Sequence, residues 1–257
     1  MLVADARRTA VVTGASSGIG EAIARALSTH GWDCVLLARR EDRLRRLADE
    51  LDASYEVCDV GDRADVERAA AHVRARHAEL NLLVNNAGMS ARARFTNIDP
   101  DRLEEVTRVN YLGSVWCLRA FLPALEAARG RADVVNVVSV AGTVALARSG
   151  PYNASKHAQL AFSRSAAAEL RPRGIRVHTI NPGFVETEGF PQRTVLRPAW
   201  LRRTVIEPED VARRVLRAVD RDEREVFVPA WYRIAAIAQA VAPGLLARVA
   251  GGRRGST

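Results

Sequence analysis

The chain has 257 residues, 48% of them hydrophobic and 26% charged, with 38 basic against 30 acidic residues and a net charge of +8. That is enough chain to bury the core of one large α/β domain, and too apolar a chain to be disordered throughout. The positive balance admits a nucleic-acid partner, but acids interleave with the basic residues, as in Arg39-Arg40-Glu41-Asp42-Arg43, so no nucleic acid is expected and the charges read as solvated helix faces. In chain order, Thr9–Thr13 reads as a strand and Ile19–His30 as a helix with Ile19, Ile23, Ala26 and Leu27 on one face. Cys34–Ala38, Tyr55–Cys58 and Leu80–Val84 are the next strands, separated by helices over Arg43–Leu51 and Arg63–His77. Pro100–Ala128 reads as one long helix, Val134–Val138 as a very apolar strand, and Tyr152–Leu170 as a helix stopped by Pro172 and Gly174. Strands over Ile175–Ile180 and Val226–Val228 flank a helix over Pro208–Val219.

This alternation of near-continuous apolar strands with helices implies α/β architecture: a seven-stranded parallel sheet, doubly wound and Rossmann-like, with helices on both faces. No Pro-, Gly- or Ser-rich linker divides it, so residues 1–228 are expected to form one dinucleotide-binding and catalytic domain. Residues 229–257 form an apolar, basic extension of it. Cys34, Cys58 and Cys117 are odd in number, far apart and set in apolar runs, which suits buried thiols in a reducing compartment. The five histidines show no ligand spacing, and no metal site is expected. The N-terminus reaches charge too early for a signal peptide. No segment approaches the ~18–20 uncharged apolar residues of a membrane span. The expected location is the cytoplasm.

The first strand runs into Thr13-Gly14-Ala15-Ser16-Ser17-Gly18-Ile19-Gly20 and then a helix. Glycines there permit a tight turn and close approach of backbone to a pyrophosphate, which the free N–H groups of the helix start then bind. Gly14, Ser16, Ser17, Gly18, Ile19 and Gly20 are the candidate phosphate cradle. The second strand ends Leu37-Ala38-Arg39-Arg40, with no acid until Glu41. An acid at that point binds the ribose 2′-OH of NAD, whereas arginine matches the 2′-phosphate of NADP. The expected cofactor is therefore NADP(H), with Arg39 as its main partner.

Asn85-Asn86-Ala87-Gly88, Ser139 and Asn181-Pro182-Gly183 follow the fourth, fifth and sixth strands, at the carboxyl ends where ligands bind in such sheets. Tyr152 and Lys156 stand at i and i+4 on one helix face. A free phenol has a pKa of ~10, and a nearby ammonium favours the phenolate and brings it toward neutrality. Such a phenol can protonate a carbonyl or run the reverse. A hydroxyl at Ser139 can hydrogen-bond the same oxygen.

Taken together these motifs, with Cys58-Asp59-Val60, Asn110 and Pro182-Gly183-Phe184-Val185-Glu186-Thr187, resemble the shorter branch of the short-chain dehydrogenase/reductase family from Thr9 to about Val228. The resemblance implies an NADP(H)-dependent oxidoreductase that interconverts a carbonyl and a secondary alcohol. It implies Tyr152 as general acid/base, with Lys156 binding the nicotinamide ribose and lowering the pKa of Tyr152. It further implies Ser139 as substrate-orienting group and Asn110 as holder of a relay water. Asp59 and Val60 would contact adenine, Asn86 and Gly88 would line the cofactor path, and Gly183, Val185 and Thr187 would hold the nicotinamide end. Subunits would pair through the long helix and the Tyr152 helix into a homodimer or homotetramer. A catalytically idle NADP(H)-binding regulator is the alternative, against which the intact Asn110, Ser139, Tyr152 and Lys156 speak.

Phe184–Ile206 is the expected substrate loop, mixing apolar Phe190, Val195, Leu196, Trp200 and Leu201 with Arg193, Arg197, Arg202 and Arg203. That mix suits either a bulky apolar small-molecule substrate bearing an anionic group or a flexible lid that carries arginines for no specific ligand. The tail from Pro229 carries Trp231, Tyr232, Ile234, Ile237 and Val241, with arginines at its edges. Packing within the molecule or against a second subunit is favoured for it over contact with a membrane surface.

Overall fold

The computed structural model describes residues 8–91, 95–145, 149–196 and 199–244. Its seven strands are β1 (Thr9–Thr13), β2 (Asp33–Ala38), β3 (Ser54–Val57), β4 (Leu82–Asn85), β5 (Ala132–Val137), β6 (Ile175–Pro182) and β7 (Glu225–Val228). They form one sheet in the order β3-β2-β1-β4-β5-β6-β7, with every neighbouring pair parallel. β1, β4 and β5 are buried along their whole length. A parallel strand covered on both faces needs apolar side chains at almost every position, which is why these segments do not alternate.

On one face, Val12, Leu36, Val84 and Ile180 pack with Ile23 and Leu27 of α1 (Gly18–Thr29), Leu44 and Leu47 of α2 (Glu41–Leu51) and Val211 and Val215 of a later helix, Pro208–Asp220. On the other, Val11, Leu37, Leu83, Val134 and Val177 meet Val66 and Val73 of α3 (Arg63–Arg76) and a group of helices that follow β4. Of those helices, α5 (Gly113–Ala127) and α6 (Gly150–Leu170) meet the sheet, and α4 (Pro100–Thr107) packs on α6. Short helices α7 (Gln192–Val195) and α8 (Ala199–Arg202) follow β6, then α9 (Pro208–Asp220) and, after β7, α10 (Tyr232–Val241).

Two differences from the sequence expectation position the site. The stretch Pro100–Ala128 is not one regular helix: Arg108–Leu112 forms a π-type turn between α4 and α5. The wider turn carries Asn110 inward, where it is fully buried. Directly after it, a side chain on Gly113 would meet the Val60 carbonyl oxygen at 2.9 Å. β6 also runs two residues further than expected, because Asn181 and Pro182 continue the ladder against Phe227 and Val228.

The three cysteines are free and buried. Burial pushes the Cys34 and Cys58 thiols up to about 12, and Cys117 in the same direction. The histidines meet local partners: Nδ1 of His30 lies 2.7 Å from the Ala26 carbonyl and that of His157 2.8 Å from the Asn153 carbonyl.

At the sheet end away from the phosphate loop, Asp133 is 1% exposed and accepts from Arg131 Nε (2.7 Å) and Arg176 Nη2 (3.1 Å), with His178 Nε2 at 2.8 Å. Removing one member of such a buried charged group leaves the others without compensation. Asp133→Ala should therefore lower the unfolding free energy by about 3–5 kcal/mol. Urea denaturation read by circular dichroism checks this; a loss below ~1 kcal/mol would mean the arginines satisfy themselves in water.

Candidate active site

The join between β1 and β4 is where the strand order reverses, and it opens a crevice at the carboxyl ends of the strands. Thr13 ties the two sides together. Its hydroxyl donates to the Val84 carbonyl (3.2 Å) and accepts from the amides of Asn86 (3.0 Å) and Ala87 (3.1 Å). The Asn86 side-chain amide donates back to the Thr13 carbonyl at 3.0 Å. The chain then turns through Gly14 at φ +67 and Gly18 at φ +57, left-handed conformations that favour glycine. A Cβ on Gly20 would lie 2.2 Å from the Gly14 carbonyl oxygen. Ser17, at the N-cap of α1, makes no side-chain cap hydrogen bond. The first-turn amides of α1 are thus left for an anionic group. This cradle of bare backbone fits the pyrophosphate of a dinucleotide.

Beside it, β2 ends in two arginines. Arg39 is exposed, with Nη1 3.6 Å from Asp59 Oδ2. Asp59 also accepts from the Gly61 amide at 2.8 Å. Arg40 reaches across the phosphate loop: Nε and Nη2 donate to Ser16 Oγ at 3.2 and 3.1 Å, and Nη2 to Ser17 Oγ at 2.6 Å. Arg40 escaped the sequence reading, which stopped at Arg39; the signal was its position one residue later, masked by the abundance of arginine.

Across the crevice, Ser139 follows β5, its Oγ accepting from the Ala141 amide (3.0 Å) and lying at a weak 3.5 Å from the Pro182 carbonyl. Tyr152 and Lys156 stand one turn apart in α6. Lys156 is 3% exposed. Its ammonium donates to the Val137 carbonyl (3.1 Å) and to Gln159 Oε1 (2.8 Å). Burial lowers its pKa to about 7. Gln159 is fully buried and passes its own amide hydrogen to Ser114 Oγ at 2.8 Å. It was not anticipated, although an amide three residues after Lys156 on an otherwise apolar stretch has the spacing to meet it. Asn110 is committed to its neighbours: Oδ1 accepts from the Met89 amide (2.8 Å), and Nδ2 donates to the Met89 carbonyl (3.1 Å) and Ser155 Oγ (3.0 Å).

A cleft of about 890 Å³ joins these parts. Ser139, Tyr152, Lys156, Arg39, Asp59, Val60, Asn86, Gly88, Gly183, Val185 and Thr187 all line it, together with Gly14, Ser16, Ser17, Gly18 and Ile19. Gly20 and Asn110 sit behind its walls rather than on them, Gly20 against the Gly14 carbonyl and Asn110 against Met89 and Ser155. Thr187 lies over the phosphate loop, 3.0 Å from where a Gly18 Cβ would stand. The cleft mouth is apolar: the Phe190 ring is 5.9 Å from that of Tyr152, and Val144, Phe184 and Leu201 stand nearby. The tail completes it. Tyr232 is 6% exposed, its ring T-stacked on Phe184 and so close to Gly183 that a Cβ there would meet it at 2.0 Å.

The family model for short chain dehydrogenase matches residues 8–194. A dehydrogenase/reductase SDR family protein 7-like from Anopheles gambiae is 33% identical over 239 residues, covering 86% of this chain and 74% of that protein. A short-chain dehydrogenase/reductase from Burkholderia phymatum, solved with NAD, superposes with a TM-score of 0.84 at 25% identity, covering 93% of this chain and 95% of that one. A short chain dehydrogenase from Burkholderia cenocepacia, solved with NADP, gives 0.82 at 29% identity, covering 95% and 97%.

The buried lysine has a consequence for the cofactor-free protein. Lys156 is neutral in the folded chain above about pH 7 but still protonated when unfolded, against an ordinary value of 10.5. The unfolded state then holds the extra proton, so stability rises with pH. The unfolding free energy should climb by up to ~1.4 kcal/mol per pH unit from about pH 7 to 8.5, before the thiols titrate. Lys156→Met should flatten that rise, as measured by urea titrations across the range; an unchanged slope would place the proton elsewhere.

Proposed function

We propose that this chain, which belongs to the short-chain dehydrogenase/reductase family, interconverts a carbonyl and a secondary alcohol using NADP(H). The observation that carries this reading is that Ser139, Tyr152 and Lys156 line the same cleft as the glycine cradle, so proton-handling groups and a nucleotide-sized site share one space. Gly14, Ser16, Ser17, Gly18, Ile19 and Gly20 would hold the pyrophosphate, Asp59 and Val60 the adenine, and Asn86 and Gly88 the stretch between. Gly183, Val185 and Thr187 would hold the nicotinamide end. When bound, the nicotinamide supplies a hydride to the carbonyl carbon or takes one from the alcohol carbon.

The chain's own residues move the proton. The Tyr152 hydroxyl gives its proton to the carbonyl oxygen in reduction and accepts it back in oxidation. Ser139 Oγ holds the same oxygen; its present bond to the Pro182 carbonyl is long enough to be exchanged at little cost. Lys156 in its ammonium form favours the phenolate of Tyr152, and it would also bind the ribose hydroxyls. The two carbonyl oxygens that grip its ammonium aim the donor group at a fixed point. Asn110 holds the Gly88–Met89 turn beside that ammonium, on the path where a water would relay protons outward.

The choice of NADP(H) rests on the end of β2. Related structures hold NAD in one case and NADP in another. In this chain Arg39 and Arg40 stand at the end of β2, where an acid would otherwise serve a free 2′-OH, Arg39 beside Asp59 and Arg40 on the Ser16 hydroxyl with Glu188 as its ion-pair partner. The apolar mouth favours a bulky apolar ketone or alcohol.

Steady-state oxidation of NADPH against a panel of apolar ketones tests the reading. Tyr152→Phe should keep NADPH binding by fluorescence titration yet lose turnover by roughly 100-fold or more. NADPH binding with no turnover on any ketone would favour a regulatory role instead. Arg39→Asp should weaken NADPH by roughly tenfold or more, the worth of a charged hydrogen bond, and leave NADH nearly unaffected. Equal loss for both nucleotides would overturn the 2′-phosphate assignment.

A further inference from the structure

Helix α10 has two faces. Tyr232 and Ala235 turn inward and line the cleft. Ile234 (71% exposed), Ile237 (54%) and Val241 (80%) turn outward, while Trp231, just before the helix and 45% exposed, stacks on Tyr232 at the edge of the cleft; these four are the exposed large hydrophobics among the described residues. At helical spacing Ile234, Ile237 and Val241 fall within an arc of about 60°, a continuous apolar stripe. Along the tail the sequence carries charge of one sign. From Pro229 onward there are four arginines and no acidic residue, half of the net charge of the whole chain, and of the four Arg233 is among the described residues. On the neighbouring rim of the cleft, Arg202 and Arg203 follow Leu201 and are exposed. Arg202, Arg203 and Arg233 have no ion-pair partner among the described residues. No described helix is long and apolar enough to cross a membrane.

We propose that the outward face of α10 docks peripherally on an anionic lipid surface, with Arg202, Arg203 and Arg233 against the headgroups and Ile234, Ile237 and Val241 in the outer acyl region. Apolar burial and attraction to anionic lipid together provide the two signals that stable peripheral binding requires. A second copy of this chain fits the face less well, because a two-fold contact would set two acid-free arginine-bearing tails against each other. The cleft mouth beside α10 then opens at the bilayer, where an apolar substrate is concentrated. The docking itself does not depend on the reaction.

Co-sedimentation of the full chain with vesicles tests this. The chain should bind vesicles of equal parts phosphatidylcholine and phosphatidylglycerol, bind pure phosphatidylcholine far less, and be released by salt. Ile234→Asp combined with Val241→Asp should abolish binding while NADPH affinity and the circular dichroism spectrum stay unchanged. Arg202→Gln, Arg203→Gln and Arg233→Gln should each weaken binding to the mixed vesicles by roughly fivefold. Equal binding of the double aspartate variant and the parent would overturn the proposal. So would an absence of vesicle binding, and if light scattering then shows the double aspartate variant alone to be monomeric, the face belongs to a second copy.

Discussion

The hydroxyl of Thr13 sits where the site begins, and the rest of the crevice depends on it. One oxygen closes three hydrogen bonds between β1 and the start of the loop after β4. It holds together the two strands that must part to leave a crevice. With that join fixed, Gly14 can pass under Asn86, whose amide nitrogen would lie 2.9 Å from any Cβ there. The glycine-rich loop after β1 and the start of the loop after β4 are thereby set by a single point of contact. Their mutual position follows from hydrogen bonds buried at the centre of the sheet, not from loops at the surface.

Behind the opposite wall lies a chain of buried polar groups. Asn85 donates to Asn136 Oδ1 at 2.9 Å, Asn136 to Ser163 Oγ at 2.9 Å, and Ser163 and Thr179 share a bond of 2.7 Å. Nearby, Lys156, Gln159 and Ser114 form a second chain. Polar groups at this depth cost free energy unless paired, and pairing them fixes rotamers that an apolar core would leave free. For Lys156 the burial has an electrostatic result as well: its ammonium donates to the Val137 and Gln159 carbonyl oxygens, and its charge is marginal near neutrality. A group so placed responds strongly to whatever negative or hydroxylic partner enters the cleft.

Much of this was legible in the residues, and for a stated reason. Glycines at 14 and 20 are demanded by contacts shorter than any side chain allows, and such demands leave marks in sequence. The parallel sheet announced itself through strands that are apolar at every position. Most of the candidate site residues meet in one cleft because they follow strands of one sheet, so topology did the assembling. What the residues did not disclose depends on neighbours far away in the chain. The π-type turn at Arg108–Leu112 has no local signature, since its wider winding is set by packing. Arg40 could not be told from 37 other basic residues until Ser16 stood beside it. Tyr232 looked like part of an apolar tail until Gly183, 49 positions earlier by sequence number, proved to be its seat. Leu245, Leu246 and Val249 of that tail lie outside the described residues.

The seating of Tyr232 on Gly183 separates two properties of the pocket that usually come from the same loops. The proposed chemistry belongs to β5, α6 and the phosphate cradle, whereas a wall of the chamber comes from a helix added after the last strand. The hydrogen at position 183 is the only part of that residue the aromatic ring tolerates. Position 183 is therefore a gauge for the width of the chamber: with glycine the Tyr232 ring stands as its wall, and a larger residue would have to displace that ring. The breadth of molecules admitted can change by way of the tail while Ser139, Tyr152 and Lys156 stay untouched.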